Sequence, residues 1–315
     1  MITVDHLTKR YAPGVGVEDA TFVCETGAVT GFLGPNGAGK STTMRMICGL
    51  TRADAGSSNI DGVAYRDLPE PGRRVGVLLD ASAQHSGRTG REALTLAAMT
   101  MGLSGERVEQ VLQLVGLNQT AAKRRIGNYS LGMRQRLGIA HALLGDPGIL
   151  VLDEPVNGLD PEGIIWMRRL LSEFADRGGT VLLSSHLLHE VQAVADRLVI
   201  IGKGRIVANG TTVELLASQG TSTSVMGLDP AALAHALEAA QLAFRQAPNP
   251  AGGRDAVSFR VDGSAEQVGR AAAAAGVVLT ELRSADGAGL EELFLSLTGD
   301  ATVGTPDVPM KERVA

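Results

Sequence analysis

Apolar residues along the chain follow two alternating periods. Val29 to Leu33, Val75 to Leu79, Ile149 to Leu152 and Thr180 to Leu183 are short, nearly continuous runs, as expected of strands buried on both faces of a parallel sheet. Between them, apolar residues recur three and four apart, which predicts amphipathic helices. One begins after residue 40 with Met44, Met46, Ile47 and Leu50, and two more carry Ala93 to Met101 and Val108 to Val115. A further helix carries Leu137, Ile139, Ala140, Leu143 and Leu144, and another lies around Ile165 to Ala175. The segment from about 80 to 140 therefore reads as mostly helical, inserted between two sheet-forming halves. Residues 1 to 30 predict short strands around a turn at Pro13-Gly14, and Leu198 to Ala208 predicts a hairpin turning at Gly202-Lys203-Gly204.

Beyond about residue 220 the pattern changes. Strands are expected over 222–228, 256–261 and 277–282, alternating with helices over 230–242, 265–275 and 290–297. The expected organisation is an α/β domain over 1–218, with a mixed sheet, flanking helices and the helical insertion at about 80–140. A small α+β domain follows over 219–300, and 301–315 reads as a flexible polar tail.

Composition changes this picture little. With 315 residues there is room for two domains, and with 44% apolar but only 3% aromatic residues the core is built from Ala, Val, Leu and Ile. A net charge of -5 gives no general attraction to nucleic acid, so no nucleic-acid partner is expected. Cys24 and Cys48 form no close metal-ligand pair and read as reduced core thiols. Asp5, His6, Lys9 and Arg10 interrupt any secretory signal, and no run approaches the roughly 18 to 20 apolar residues that span a bilayer. Any membrane role is expected to come through a partner.

Chemistry concentrates where the first buried run ends. Gly34-Pro35-Asn36-Gly37-Ala38-Gly39-Lys40-Ser41-Thr42 is a complete G-x-x-x-x-G-K-S pattern between a strand and a helix. Its glycines let the backbone wrap phosphate oxygens at a helix N-terminus, Lys40 reaches the β- and γ-phosphates, and Ser41 holds Mg²⁺. Asp153 and Glu154 close the run Ile149 to Leu152. An Asp at such a strand end holds Mg²⁺, and the adjoining Glu polarises a water for attack on the γ-phosphorus. His186, at the end of the next strand, is placed to contact the γ-phosphate. Tyr11 offers an aromatic face for stacking on adenine.

Five ordered elements together resemble an ATP-binding cassette (ABC) protein, specifically the ATPase subunit of a transporter. They are the phosphate loop at 34–42, the segment Tyr129-Ser130-Leu131-Gly132-Met133-Arg134-Gln135-Arg136, the strand Ile149 to Glu154, the Gly158-Leu159-Asp160 turn, and His186. The resemblance spans residues 1 to about 215 and implies a P-loop ATPase core using ATP and Mg²⁺. It further implies two ATPase subunits, identical or paired, packed head to tail. Ser130, Gly132 and the amides of their helix would then close over the γ-phosphate held at Lys40 of the other subunit, with Asp160 nearby. A separate transmembrane permease is implied, which places the chain at the cytoplasmic face of the cell membrane.

The chain departs from the family pattern in two places, the signature segment and the loop after Val75 to Leu79. Leu131 and Met133 replace the first Gly and the Gln of the usual Leu-Ser-Gly-Gly-Gln. Asp80 stands where the family typically has a Gln that ligates Mg²⁺ and senses the permease, and a carboxylate there can still ligate the ion. The Tyr-Ser-Leu-Gly-Met variant, the C-terminal extension and Gly289 to Phe294 resemble export subunits of the drug, antibiotic or lipid class. The alternative is a stand-alone ABC ATPase with a non-transport regulatory role, although the stretch from Lys40 to Asp153 lacks the sustained heptads of chromosome-organising members.

Overall fold

The computed structural model describes residues 1–217, 222–247, 257–284 and 294. Strands β1 (Ile2–Ala12) and β2 (Val15–Cys24) form a hairpin about Pro13-Gly14, and both are longer than the short strands expected there. Next come β3 (Val29–Leu33), helix α1 (Lys40–Ile47) and β4 (Ala55–Ile60), which pairs antiparallel with β1 to give a three-stranded sheet ordered β2-β1-β4. A single turn, α2 (Pro71–Arg74), leads into β5 (Val75–Leu78).

The helical stretch consists of α3 (Gly90–Thr100), α4 (Gly105–Leu114), α5 (Gln119–Lys123) and α6 (Leu131–Leu143). A capping box starts α3, with Thr89 accepting from Glu92 N–H while the Glu92 carboxylate accepts from Thr89 N–H. The chain continues through β6 (Ile149–Leu152), α7 (Pro161–Asp176), β7 (Thr180–Ser185), α8 (Leu188–Gln192), β8 (Arg197–Gly202) and β9 (Arg205–Thr211). The turn between β8 and β9 falls at Lys203-Gly204, within the expected hairpin.

Six of these strands form the main sheet in the order β5-β6-β7-β3-β8-β9, and β5 through β8 pair in parallel. Every residue of β3, β6 and β7 is buried, which accounts for their unbroken apolar runs. In such a sheet, ligands bind outside the carboxyl ends of the strands, where the strand order switches direction. Here β3 lies between β7 and β8, and register aligns the ends: Leu33 pairs with Ser185 and Leu152 with Leu183. Gly34, Asp153 and His186 therefore leave the sheet on the same edge.

The chain folds as two compact units, one built on Met1–Asn209 and the other on Gly210–Leu293. The division falls ahead of the boundary expected at 218, so α9 (Thr212–Ala217) belongs to the second unit. That unit also contains β10 (Ser222–Gly227), α10 (Pro230–Ala239), β11 (Phe244–Ala247), β12 (Ser258–Asp262), α11 (Ala265–Ala274) and β13 (Leu279–Ser284). Its antiparallel sheet is ordered β11-β12-β10-β13 around Val225, Leu233, Leu237, Phe259, Val261, Val268 and Ala272. The short β11 is absent from the sequence expectation because Phe244-Arg245-Gln246-Ala247 is too brief for a period to register. The helix expected over 290–297, apart from Phe294, and the tail at 301–315 lie outside the described residues. No helix among the described residues is long and apolar enough to cross a membrane.

Candidate nucleotide site

The phosphate loop leaves the fully buried β3 and enters α1 with Gly39 as N-cap at φ 111, a backbone conformation that L side chains rarely adopt. Gly39 provides no side chain to cap the helix, so the first amides of α1 remain available to an anion. A Cβ built on Gly37, itself at φ 80, would meet nothing within 4 Å, so the loop opens onto free space. Around it, Tyr11, Val15, Gly16, Pro35, Asn36, Gly37, Gly39, Lys40, Ser41, Thr42 and Glu154 line a pocket of about 340 Å³.

Lys40 is only 6% exposed, and its Nζ donates to the carbonyl oxygens of Gly34 at 2.6 Å and Pro35 at 3.3 Å. It also lies 3.6 Å from Glu154 Oε1. Burial pushes the ammonium below its usual pKa range, while the carboxylates of Glu154 and Asp153 oppose that shift. The Glu154 carboxylate bridges two sites, because its Oε2 lies 2.9 Å from His186 Nδ1. A carboxylate only accepts hydrogen bonds, so the proton is on Nδ1 and Nε2 is the other tautomeric position.

Sheet register explains the next contact. Asp153 follows Leu152 and Ser184 follows Leu183, so the two stand side by side, and Ser184 Oγ donates to Asp153 Oδ1. The Glu154 N–H donates to the same Ser184 Oγ at 2.9 Å, and the Glu154 carbonyl accepts from Gln135 Nε2 at 3.1 Å. The sequence reading quotes Gln135 within the segment at 129–136 but assigns no role to it or to Ser184. The available signal was polarity in places where packing predicts an apolar residue, since Ser184 lies in a buried strand and Gln135 is buried on α6 one turn before Ile139.

Ser130, Gly132 and Asp160 come together elsewhere, with Leu131, Met133, Arg136, Gly158 and Leu159, around a pocket of about 520 Å³. Ser130 is the N-cap of α6, its Oγ accepting from Met133 N–H at 3.2 Å. Asp160 is the N-cap of α7, with Oδ1 accepting from Gly163 N–H at 2.9 Å. Neither lines the phosphate-loop pocket of its own chain. Tyr11 does line that pocket, at its rim and 57% exposed.

The structure does not bring Asp80 to this group. Its Oδ1 accepts from Ser82 N–H at 2.7 Å and from Ser82 Oγ at 2.6 Å, which holds the carboxyl below its ordinary pKa. Asp80 lines a different pocket with Arg45, Gln84 and His141. The loop after β5 closes on itself through these two hydrogen bonds, so its carboxylate is engaged there rather than at the phosphate loop.

The loop region fits a nucleoside triphosphate with its magnesium ion. The cradle is open above Gly37, the ammonium of Lys40 lies at its base, and Ser41 lines it. Among the described residues no hydrogen bond falls on Asp153 Oδ2.

Comparison with known proteins identifies the family. A family description, ABC transporter, matches residues 17–157. The bacitracin transport ATP-binding protein BcrA of Bacillus licheniformis is 40% identical over 210 residues, covering 66% of this chain and 68% of that one. The daunorubicin/doxorubicin resistance ATP-binding protein DrrA of Streptomyces peucetius is 34% identical across 100% of this chain and 98% of its own. Among solved structures, an ATP-binding subunit of an ABC transporter superposes with a TM-score of 0.63 at 32% identity, covering 70% of this chain and 93% of that one. A dimeric cassette bound to ADP and Pi shares the fold at 23% identity and a TM-score of 0.61, over 67% of this chain and 98% of that one. The chain belongs to the ABC transporter family, as an ATP-binding and ATP-hydrolysing subunit.

Proposed function

We propose that the chain powers export of a drug- or antibiotic-like compound through a separate membrane permease, working as one of two ATPase subunits packed head to tail. Export is supported by the relatives whose names refer to bacitracin and to daunorubicin/doxorubicin resistance, the latter similar over the whole chain. The permease supplies the membrane span, and the chain is held at the cytoplasmic face through it. The dimer is supported by the division of the site into two clusters. Lys40, Asp153, Glu154 and His186 converge on the phosphate loop, whereas Ser130, Gly132 and Asp160 gather at a pocket without one.

In this reading Lys40 neutralises charge on the β- and γ-phosphates, and the open amides of α1 cradle them. Ser41 and Asp153 hold the magnesium ion, which supplies charge neutralisation on the phosphate oxygens when bound. Glu154 polarises the attacking water, and His186 orients Glu154 while facing the γ-phosphate. Tyr11, at the rim, stacks on the base. Ser130 and Gly132 complete the site of the partner copy, where a helix N-terminus suits an anion. Asp80, engaged by Ser82, is left out of the metal set.

The proposal is tested by co-purifying the chain with its permease and measuring ATPase activity with and without candidate antibiotics. Stimulation by a transported compound is expected. Failure to associate with any membrane protein, with turnover insensitive to every such compound, refutes the transport role.

A further inference from the structure

Glu154 adopts φ 48, in the left-handed region that non-glycine residues occupy only where surroundings hold them. Each of its backbone polar groups meets a side chain from a different element, and the C=O also accepts from Asn157 N–H at 3.2 Å within its own turn. The N–H donates to Ser184 Oγ at 2.9 Å from β7, and the C=O accepts from Gln135 Nε2 at 3.1 Å from α6. Ser184 is fully buried and Gln135 is 4% exposed. A hydroxyl has one proton to give and two lone pairs, and Ser184 gives its proton to Asp153 Oδ1 while accepting from Glu154 N–H. One oxygen thus serves both carboxylate residues at the end of β6.

We propose that Ser184 and Gln135 are positioning residues for ATP hydrolysis, a two-sided clamp that keeps Glu154 left-handed and so aims its carboxylate between His186 and Lys40. The inference rests on the reading of Glu154 as the group that polarises water. Relaxation to the ordinary helical region rotates φ by roughly 110°. That rotation swings the side chain off its line to His186, and misplacement of a reacting group by about 1 Å already costs about 100-fold in rate. Neither clamp residue lines the phosphate-loop pocket, so the clamp acts through the residues it holds: Gln135 through Glu154, and Ser184 through both Glu154 and Asp153.

The test uses the full chain with Ser184→Ala, Gln135→Leu and, as control, Glu154→Gln. Amide hydrogen exchange at Glu154 is measured without nucleotide, together with kcat, KM and ATP affinity in EDTA. Ser184→Ala is expected to speed exchange of the Glu154 amide and to lower kcat, each by at least about tenfold, with the EDTA affinity within about threefold. Gln135→Leu, which removes a bond to Glu154 and none to Asp153, is expected to lower kcat in the same way with KM and the EDTA affinity within about threefold. Should Ser184→Ala not fold, Ser184→Cys, which keeps the size but only a weak donor, carries the same expectations. Unchanged exchange, or kcat within about twofold of the parent in Ser184→Ala beside a collapsed Glu154→Gln, overturns the clamp alone. Unchanged turnover in Glu154→Gln overturns instead the assignment of Glu154, and exchange at its amide still reads the clamp.

Discussion

Replacing Glu154 by Gln removes one negative charge with almost no change in shape, and the structure states what should follow. The carboxylate is 3.6 Å from Lys40 Nζ, a gross attraction of about 5 kcal/mol at an effective dielectric constant of about 20. In the free chain that attraction holds the ammonium toward Glu154, and a bound triphosphate adds further negative charge beside the same carboxylate. Gln keeps a carbonyl oxygen to accept from His186 Nδ1 but repels phosphate less, so ATP affinity is expected to stay the same or rise. Turnover is expected to fall about 10²- to 10⁴-fold, the usual contribution of a positioned base, equal to about 3–5.5 kcal/mol in the barrier. Single-turnover hydrolysis and ATP titration calorimetry measure the two quantities separately. With hydrolysis blocked, ATP should also drive the variant into a dimer detectable by light scattering. Turnover within about twofold of the parent refutes the role of Glu154, and weaker ATP binding refutes the charge argument.

Three further outcomes follow from the same geometry. Lys40→Ala removes the only side-chain cation in the phosphate loop, and ATP binding measured by calorimetry should fall at least about tenfold, with turnover abolished; retained affinity would show that the amides of α1 suffice. Ser130→Ala removes the N-cap of α6, and thermal unfolding should report about 1 kcal/mol of lost stability while ATP-driven dimerisation weakens by more than that loss explains. Burial pushes the thiols of Cys24 and Cys48 up from an ordinary 9.0 to about 12, so a colourless-to-yellow thiol reagent at pH 8 should label neither until the chain is unfolded. Because the folded chain keeps these protons where the unfolded chain releases them, the stability they contribute is complete below pH 9 and is lost as pH rises from about 9 to about 12, which denaturant titration across that range measures.

Local pattern was enough for much of this protein. Buried parallel strands must be apolar on both faces, so Val29–Leu33, Ile149–Leu152 and Thr180–Ser185 announce themselves as strands. The phosphate loop is equally legible, because glycine spacing followed by Lys-Ser leaves few other uses. Helix ends were less legible: Thr89 and Asp160 prove to be N-caps, which the apolar period alone does not mark. Asp80 shows the limit. Its place in the order matched a family position, but a serine two residues later takes up its carboxylate, and that local competition is invisible to motif order.

What only the tertiary structure decided is which of these pieces meet. Strand order and register bring Gly34, Asp153 and His186 to one edge although they are far apart in sequence, since parallel pairing aligns strand ends irrespective of chain distance. The same register puts Ser184 beside Asp153, and α6 carries Gln135 to the Glu154 carbonyl. The polarity of a serine in a buried strand and a glutamine on a helix face marks them as unusual but does not say which group they hold. Their roles exist only as distances, which the sequence encodes through packing rather than through any motif.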